Sequence, residues 1–266
     1  MHTSYHFTNA IARQPGASVT QGLREGAGAD PDATVFRAQH FAYLKCLQQA
    51  GVKIHLLEPL EAYPDSVFIE DAALCVGNVA IVLKPGAPSR IGESKALKPV
   101  LEQWFNQVIE LPGKGSVDGG DVLLAESEVF IGLSARTNKV GLDALTSIMS
   151  DLGFVIRRVN TPSSLLHLKT GCGLLDASTI FASADLAATG CFEGYRIIET
   201  LPSEPAAANL IRVNNHVLLS AGHPKTHDLL QSHAYQVIEV ECSEAAKLNG
   251  GLSCMSLRYH SQKLSA

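Results

Sequence analysis

Polar or reactive clusters recur along this chain near Glu70-Asp71, Asp118, His167, Asn209 and Cys254, at steps of 47, 49, 42 and 45 residues. Each cluster is followed by short β-rich runs, a helix signal and a further strand. A period of about 45 residues is that of a ring of repeated units. The helical segments argue against an all-β blade, so the expected class is α/β and the expected unit is ββαβ. In a ring of five such units, equivalent loops meet at one end of the central axis. The five clusters are therefore expected to share one site.

The helix signals are apolar periods over Val35–Ala50 and over Leu142–Leu152, the second stopped by Gly153. Shorter ones cover Leu97–Phe105 and Thr226–Ala234. Strand-like runs fall at Lys53–Leu57, Ala73–Leu83, Val122–Ile131, Phe154–Val159, Leu174–Ser183, Ile197–Thr200, Leu210–Ser220 and Tyr235–Val240. Turns at Gly77-Asn78, Glu126-Ser127-Glu128 and Asn214-Asn215 split three of these into hairpins. No low-complexity linker divides the sequence, so one domain over residues 1–266 is expected. The stretch Gly16–Asp32 has four glycines, an Asp-Pro pair and no period. It reads as a mobile loop.

Composition removes several functions. Hydrophobic residues are 46 % and charged residues 18 %, which describes a chain with a sizeable core. The net charge is −5, with no basic stripe to neutralise phosphates, so no nucleic-acid partner is expected. No run approaches the roughly 18 apolar residues of a membrane span. Met1-His-Thr-Ser-Tyr-His6 carries no cationic or apolar leader signal, so a cytoplasmic location is expected. Six cysteines, at 46, 75, 172, 191, 242 and 254, contain no C-x-x-C pair. A zinc finger or redox dithiol is not expected. Which of these thiols does chemistry is the question the composition leaves.

Cys254 follows Asn249-Gly-Gly-Leu-Ser, where two glycines permit a tight backbone. By itself it reads as a buried structural thiol. His167, in Leu165-Leu-His-Leu-Lys-Thr-Gly171, is by itself a satisfied core histidine, but a Cys/His pair is the minimum for thiol-based nucleophilic catalysis. His precedes Cys here, the reverse of the papain order. Asp65-Ser-Val-Phe-Ile-Glu-Asp71 and Val117-Asp-Gly-Gly-Asp121 add five carboxylates. Some serve turns. A carboxylate beside an apolar strand is costly unless paired, and a guanidinium pairs with it bidentately. Arg90 and Arg136 offer a grip for a carboxylate at a ligand's other end.

Taken together and in this order, these motifs resemble the dimethylarginine dimethylaminohydrolases of the pentein, or guanidino-group-modifying, superfamily. The resemblance runs from Ala10-Ile-Ala-Arg-Gln-Pro15 to Ser253-Cys-Met-Ser-Leu257. It is most specific at Pro64–Asp71, Val117–Val122, Gly132–Asn138, Leu166–Gly171 and around Cys254. It implies a five-fold pseudosymmetric α/β propeller. It implies hydrolysis of a guanidinium C–N bond of methylated arginines, giving citrulline and a methylamine through a covalent cysteine intermediate, with no metal and no cofactor. By the same resemblance Cys254 matches the nucleophile, His167 the general acid/base and Asp118 the carboxylate that orients it. Asp71, with Glu70 beside it, matches the guanidinium site. Arg90 and Arg136 match the α-carboxylate site, and Asp65, Leu23 and the backbone of Leu248 the α-amino site. Leu23 would ride on a lid over about residues 16–32. A homodimer is compatible with the family, although no residue pattern here specifies one.

One position departs from the family. Asn249 stands where an Asp that touches the guanidinium is common. An amide both donates and accepts, whereas a carboxylate only accepts. This keeps open an arginine deiminase or dihydrolase type of activity, or a guanidino-binding protein without turnover.

Overall fold

The computed structural model describes residues 4–24, 26 and 28–261. Met1–Thr3 of the N-terminal reading and residues 25 and 27 of the Gly16–Asp32 loop lie outside them. Five three-stranded sheets are present among the described residues. Four follow directly along the chain. Each is a hairpin whose second strand pairs in parallel with a third: Ala73–Val76, Val79–Val82 and Gln107–Glu110; then Val122–Ala125, Glu128–Leu133 and Val155–Asn160; then Cys172–Asp176, Thr179–Ala182 and Arg196–Glu199; then Ile211–Val213, His216–Ser220 and Gln236–Val240. The fifth joins the chain's two ends. Leu257–Tyr259 runs antiparallel to Asn9–Arg13, which pairs in parallel with Lys53–Leu57.

A parallel pair needs a crossover, and a helix supplies it in every unit. The helices are Ala33–Gln49, Ile91–Trp104, Lys139–Asp151, the single turn Ala184–Ala187, and Pro224–Ser232. Their starts and stops follow local chemistry. The Asp32 carboxylate caps the first by accepting from the N–H groups of Thr34 and Val35, and Asn138 caps the third at Gly141. Each helix turns an apolar face to its sheet: Phe36, Tyr43 and Leu47 in the first, Leu97 and Leu101 in the second, Leu142, Leu145 and Met149 in the third. The ββαβ units and the α/β class thus match the expectation from spacing.

Several boundaries differ. The helix expected from Leu97 starts at Ile91, and Pro99 lies inside it. The one expected from Thr226 starts at Pro224, because a proline at the first helical position gives up an N–H that has no partner there anyway. Three strands carry too weak a pattern to be anticipated: Asn9–Arg13, Gln107–Glu110 and Leu257–Tyr259. The loose Gly16–Asp32 stretch contains one turn of 3-10 helix, Ala17–Gln21, whose first two N–H groups the Glu61 carboxylate accepts. Among the described residues no helix is long and apolar enough to cross a membrane.

A short 3-10 turn precedes the first strand of every unit: Ile69–Ala72, Gly119–Asp121, Leu168–Thr170, Pro205–Ala208 and Ser253–Met255. Glu70 and Asp71, Asp118, His167, Asn209 and Cys254 all sit on or beside these turns. The sequence period is therefore the recurrence of one structural position.

Candidate active site

The turns approach closely because their glycines lack side chains. A Cβ on Gly120 would lie 2.8 Å from the His167 ring, and one on Gly119 2.0 Å from the Glu70 carbonyl oxygen. Gly250 lets the Cys254 segment pass the Phe68 ring, which a Cβ there would meet at 2.2 Å. Gly251 does the same beside the Asn209 side chain, whose Oδ1 accepts from the Ser253 N–H at 3.3 Å. Asn209 thus supports the cysteine turn.

Leu23, Asp65, Asp71, Arg90, Arg136, His167, Leu248, Asn249 and Cys254 line one narrow pocket, with Arg24, Phe68, Leu166 and Gly250. His167 Nε2 lies 2.9 Å from Asp118 Oδ2, and Asp118 is wholly buried behind it. The Gly86 N–H donates to Asp118 Oδ1 at 2.6 Å, so this carboxylate is fixed on both sides. Asp71 Oδ1 accepts from the Gly120 N–H (2.9 Å) and Oδ2 from Arg90 Nη1 (2.6 Å). Asp65 Oδ1 accepts from the Leu23 N–H at 2.9 Å, which ties the loop to the pocket wall. Asn249 adopts a left-handed backbone, φ 57°, a conformation that Asn and Asp tolerate better than other side chains.

Two of the expected site residues are bonded to partners that the motifs do not show. Arg90 does not present an open fork. Its Nε and Nη2 donate to the two oxygens of Glu93 (3.0 and 2.8 Å), Nη2 also to the Phe68 carbonyl (2.9 Å), and Nη1 to Asp71. Four of the five guanidinium hydrogens are thereby engaged. Arg136 is less confined, 4.0 Å from Asp118 Oδ2 and with its side chain 19 % exposed. Glu70 was expected beside Asp71 in the pocket. Instead it lines a separate hollow of about 330 Å³. Its Oε1 accepts from Lys169 Nζ (2.7 Å) and Arg258 Nη2 (2.9 Å). A buried carboxylate is held where its cations are, and both lie on that side.

Arg258 and Phe68 carry no sign of these roles in the sequence, whereas Lys169 beside His167 suggests a loop facing a cleft. Glu93 leaves only the i,i+3 spacing from Arg90 on a helix start.

The charges set the protonation states. Burial opposes a charge on His167, but Asp71, the hydrogen bond with Asp118, and Asp121 outweigh it and hold its pKa up at about 9. Burial pushes the Cys254 thiol up, and the negative charges of Glu70 and Asp71 push it further. Burial opposes the Asp71 charge, yet His167 and Arg90 keep its carboxyl below the usual range. Near neutral pH the site therefore holds a thiol, an imidazolium and a carboxylate. Donor atoms of Asp71, Asp118 and His167 lie within 4.8 Å of one another. Arg90 and the N–H of Gly120 already bond Asp71, and the N–H of Gly86 and the His167 ring already bond Asp118.

A family model described as "N,N dimethylarginine dimethylhydrolase, eukaryotic" matches residues 29–167. The N(G),N(G)-dimethylarginine dimethylaminohydrolase of Pseudomonas aeruginosa is 38 % identical over 254 residues, covering 95 % of this chain and 100 % of that protein. A solved structure of the Pseudomonas aeruginosa enzyme, a cysteine-to-serine variant complexed with citrulline, superposes with a TM-score of 0.92 at 37 % identity, covering 96 % of this chain and 100 % of that one. The N-terminal domain of a cyanobacterial arginine dihydrolase shares the fold, with a TM-score of 0.84 at 19 % identity over 95 % of this chain and 98 % of that one. With the pocket and the fold agreeing, the chain belongs to the dimethylarginine dimethylaminohydrolase family.

Proposed function

We propose that this chain hydrolyses Nω-methylated arginines to citrulline and dimethylamine or methylamine. The observation that carries the reading is that Cys254, His167 and Asp71 line one pocket, with Asp118 bonded to His167 from behind. A guanidinium entering beside Asp71 brings positive charge to a thiol that two carboxylates hold protonated. That charge favours the thiolate, and the thiol proton passes to solvent, because His167 already carries its own. Sulfur then bonds to the guanidinium carbon, the C–N bond to the methylated nitrogen breaks, and His167 gives its proton to the departing amine. A thiouronium remains on Cys254. Neutral His167, oriented by Asp118, next takes a proton from water as that water attacks. The C–S bond breaks and the ureido product leaves.

Arg136 would hold the substrate carboxylate, with the remaining N–H of Arg90. Asp65, Leu23 and the Leu248 carbonyl would receive the ammonium, under a lid of about residues 16–32. Six free thiols fit a reducing, cytoplasmic compartment.

Asn249 favours a second reading, in which arginine itself is the better substrate, because one charge that would hold the guanidinium is absent. A substrate panel decides between them. Asymmetric dimethylarginine, monomethylarginine, symmetric dimethylarginine and arginine are compared by kcat/KM, with amine and citrulline measured as products. Methylarginines are expected to lead in wild type, and Asn249→Asp is expected to widen that lead. Cys254→Ser is expected to fold and lose turnover; retained activity in that variant would sink the proposal.

A further inference from the structure

Asp121 is wholly buried and does not line the pocket, yet it reaches three of the segments that do the work. Its Oδ2 accepts from Ser134 Oγ at 2.6 Å and from Thr137 Oγ1 at 2.7 Å. Its Oδ1 accepts from the Leu168 N–H at 2.9 Å, the residue after His167. The Ser134 hydroxyl in turn accepts from the N–H groups of Arg136 (3.0 Å) and Thr137 (3.1 Å). The Thr137 hydroxyl accepts from the Asp118 N–H at 3.1 Å. One carboxylate therefore binds the turn that carries Arg136 to the turn that carries His167, and grips the backbone of Asp118 through Thr137.

A buried carboxylate is an expensive way to fill space, and its loss of hydration must be offset by every bond it makes. The bonds here do not hold core elements together. They run to the ends of the pocket. In the reaction proposed above, Arg136 takes the substrate's α-carboxylate and His167 moves the proton at the other end of the same molecule. Their separation has to match the substrate's length, and a misplacement of about 1 Å costs on the order of 100-fold.

We propose that Asp121 is a positioning residue that fixes the spacing between the carboxylate-binding Arg136 and the proton-transferring His167. The inference rests on the reaction proposed above. Its charge also acts on His167, which Asp71, Asp118 and Asp121 face together, with Arg90 bonded to Asp71 and Arg136 beside Asp118.

Asp121→Asn tests it, with the methylarginine that wild type prefers and with an N-methylated alkylguanidine that has no α-carboxylate. On the full substrate, KM is expected to rise and kcat to fall, together about 10- to 100-fold in kcat/KM. The pH limb that belongs to His167 should move to lower pH, because one of the charges that hold its proton is gone. On the truncated substrate the KM effect should vanish while the pH shift persists. Thr137→Val, which keeps the carboxylate, should raise KM with the pH limb in place, and Thr137→Ser should restore it. This pair decides the matter if Asp121→Asn does not fold. Asp121→Asn with wild-type KM, kcat and pH profile, or equal losses on both substrates, overturns the inference alone. A wild type inactive on every methylarginine overturns the proposed function and this inference with it.

Discussion

The protonation state of Cys254 in the absence of ligand gives the sharpest test of the electrostatic reading. The thiol is pushed up to about 12, from an ordinary value of 9.0, by burial and then by Glu70 and Asp71. At pH 8 an ordinary cysteine is roughly one-tenth thiolate, and Cys254 roughly one ten-thousandth. Only the thiolate is alkylated. A neutral reagent such as iodoacetamide should thus modify Cys254 on the order of 1,000-fold more slowly than an unperturbed thiol of equal access. A cationic chloroacetamidine carries into the pocket the charge that the substrate would carry, and should escape most of that penalty. Site-resolved mass spectrometry separates Cys254 from the other five thiols, and saturating methylarginine should protect it. Glu70→Gln removes one of the two carboxylates that raise the thiol and frees Lys169 and Arg258 nearby, so both changes speed reaction with the neutral reagent. An apparent pKa for Cys254 below about 8 in the unliganded protein, or a neutral reagent as fast as the cationic one, would refute substrate-assisted activation.

Two further outcomes follow from the same geometry. His167 is raised from 6.5 to about 9 in the folded protein, so its stabilisation is complete below pH 6.5 and is lost as pH rises through 9. The loss is about 3 kcal/mol, read as a falling urea midpoint between pH 6.5 and 9; a midpoint flat over that window would contradict it. Gly120→Ala puts a methyl 2.8 Å from the His167 ring and 3.1 Å from Asp71 Oδ1. It should lower kcat/KM about 100-fold and stability by about 1–3 kcal/mol, in kinetics and urea unfolding; near-wild-type kinetics would show that the ring position is not critical.

Repetition made the architecture legible. A turn chemistry that recurs every 45 residues or so survives in sequence, because each unit must place the same turn before the same hairpin. The strands that escaped notice lack a pattern to read. Asn9–Arg13 is Ala-Ile-Ala at its centre, and those three residues are fully buried, so small side chains replace the β-branched signal. Leu257–Tyr259 is three residues long, and Gln107–Glu110 is only half buried. In the site, the pocket residues were reached through motifs. The cations that hold Glu70 were not, because they come from across the ring. Arg258 meets Glu70 from 188 residues away, and no local period encodes that contact. Glu70 and Asp71 are neighbours on one 3-10 turn that point to different sides, and the side Glu70 takes is that of the distant cations Lys169 and Arg258.

Closure of the ring has a consequence for the nucleophile. Asp71, Asp118 and His167 each sit on a turn that leads into a hairpin continuous in the chain. Cys254 does not, since its turn leads into the strand Leu257–Tyr259, whose partner is the N-terminal strand Asn9–Arg13. Among the described residues three pairs are in register at that junction, Asn9 with Tyr259, Ala10 with Arg258 and Ile11 with Leu257, and Thr8 extends it, its N–H donating to the Tyr259 carbonyl at 3.1 Å and its Oγ1 accepting from the Ser261 N–H at 2.8 Å. The structure reinforces it from the side. Arg258 Nη1 donates to the carbonyls of Ser253 and Ser256 at 3.0 Å each and to Ser256 Oγ at 2.8 Å, and Ser256 Oγ lies 2.6 Å from Tyr43 Oη on the first helix. A pairing held by a three-residue strand opens at lower free energy than the long interior strands of a sheet. A change that loosens this junction, while leaving four continuous units intact, removes Cys254 from the pocket first. Loss of turnover is then expected to precede loss of secondary structure as denaturant is added, with the carboxylates and His167 still in place.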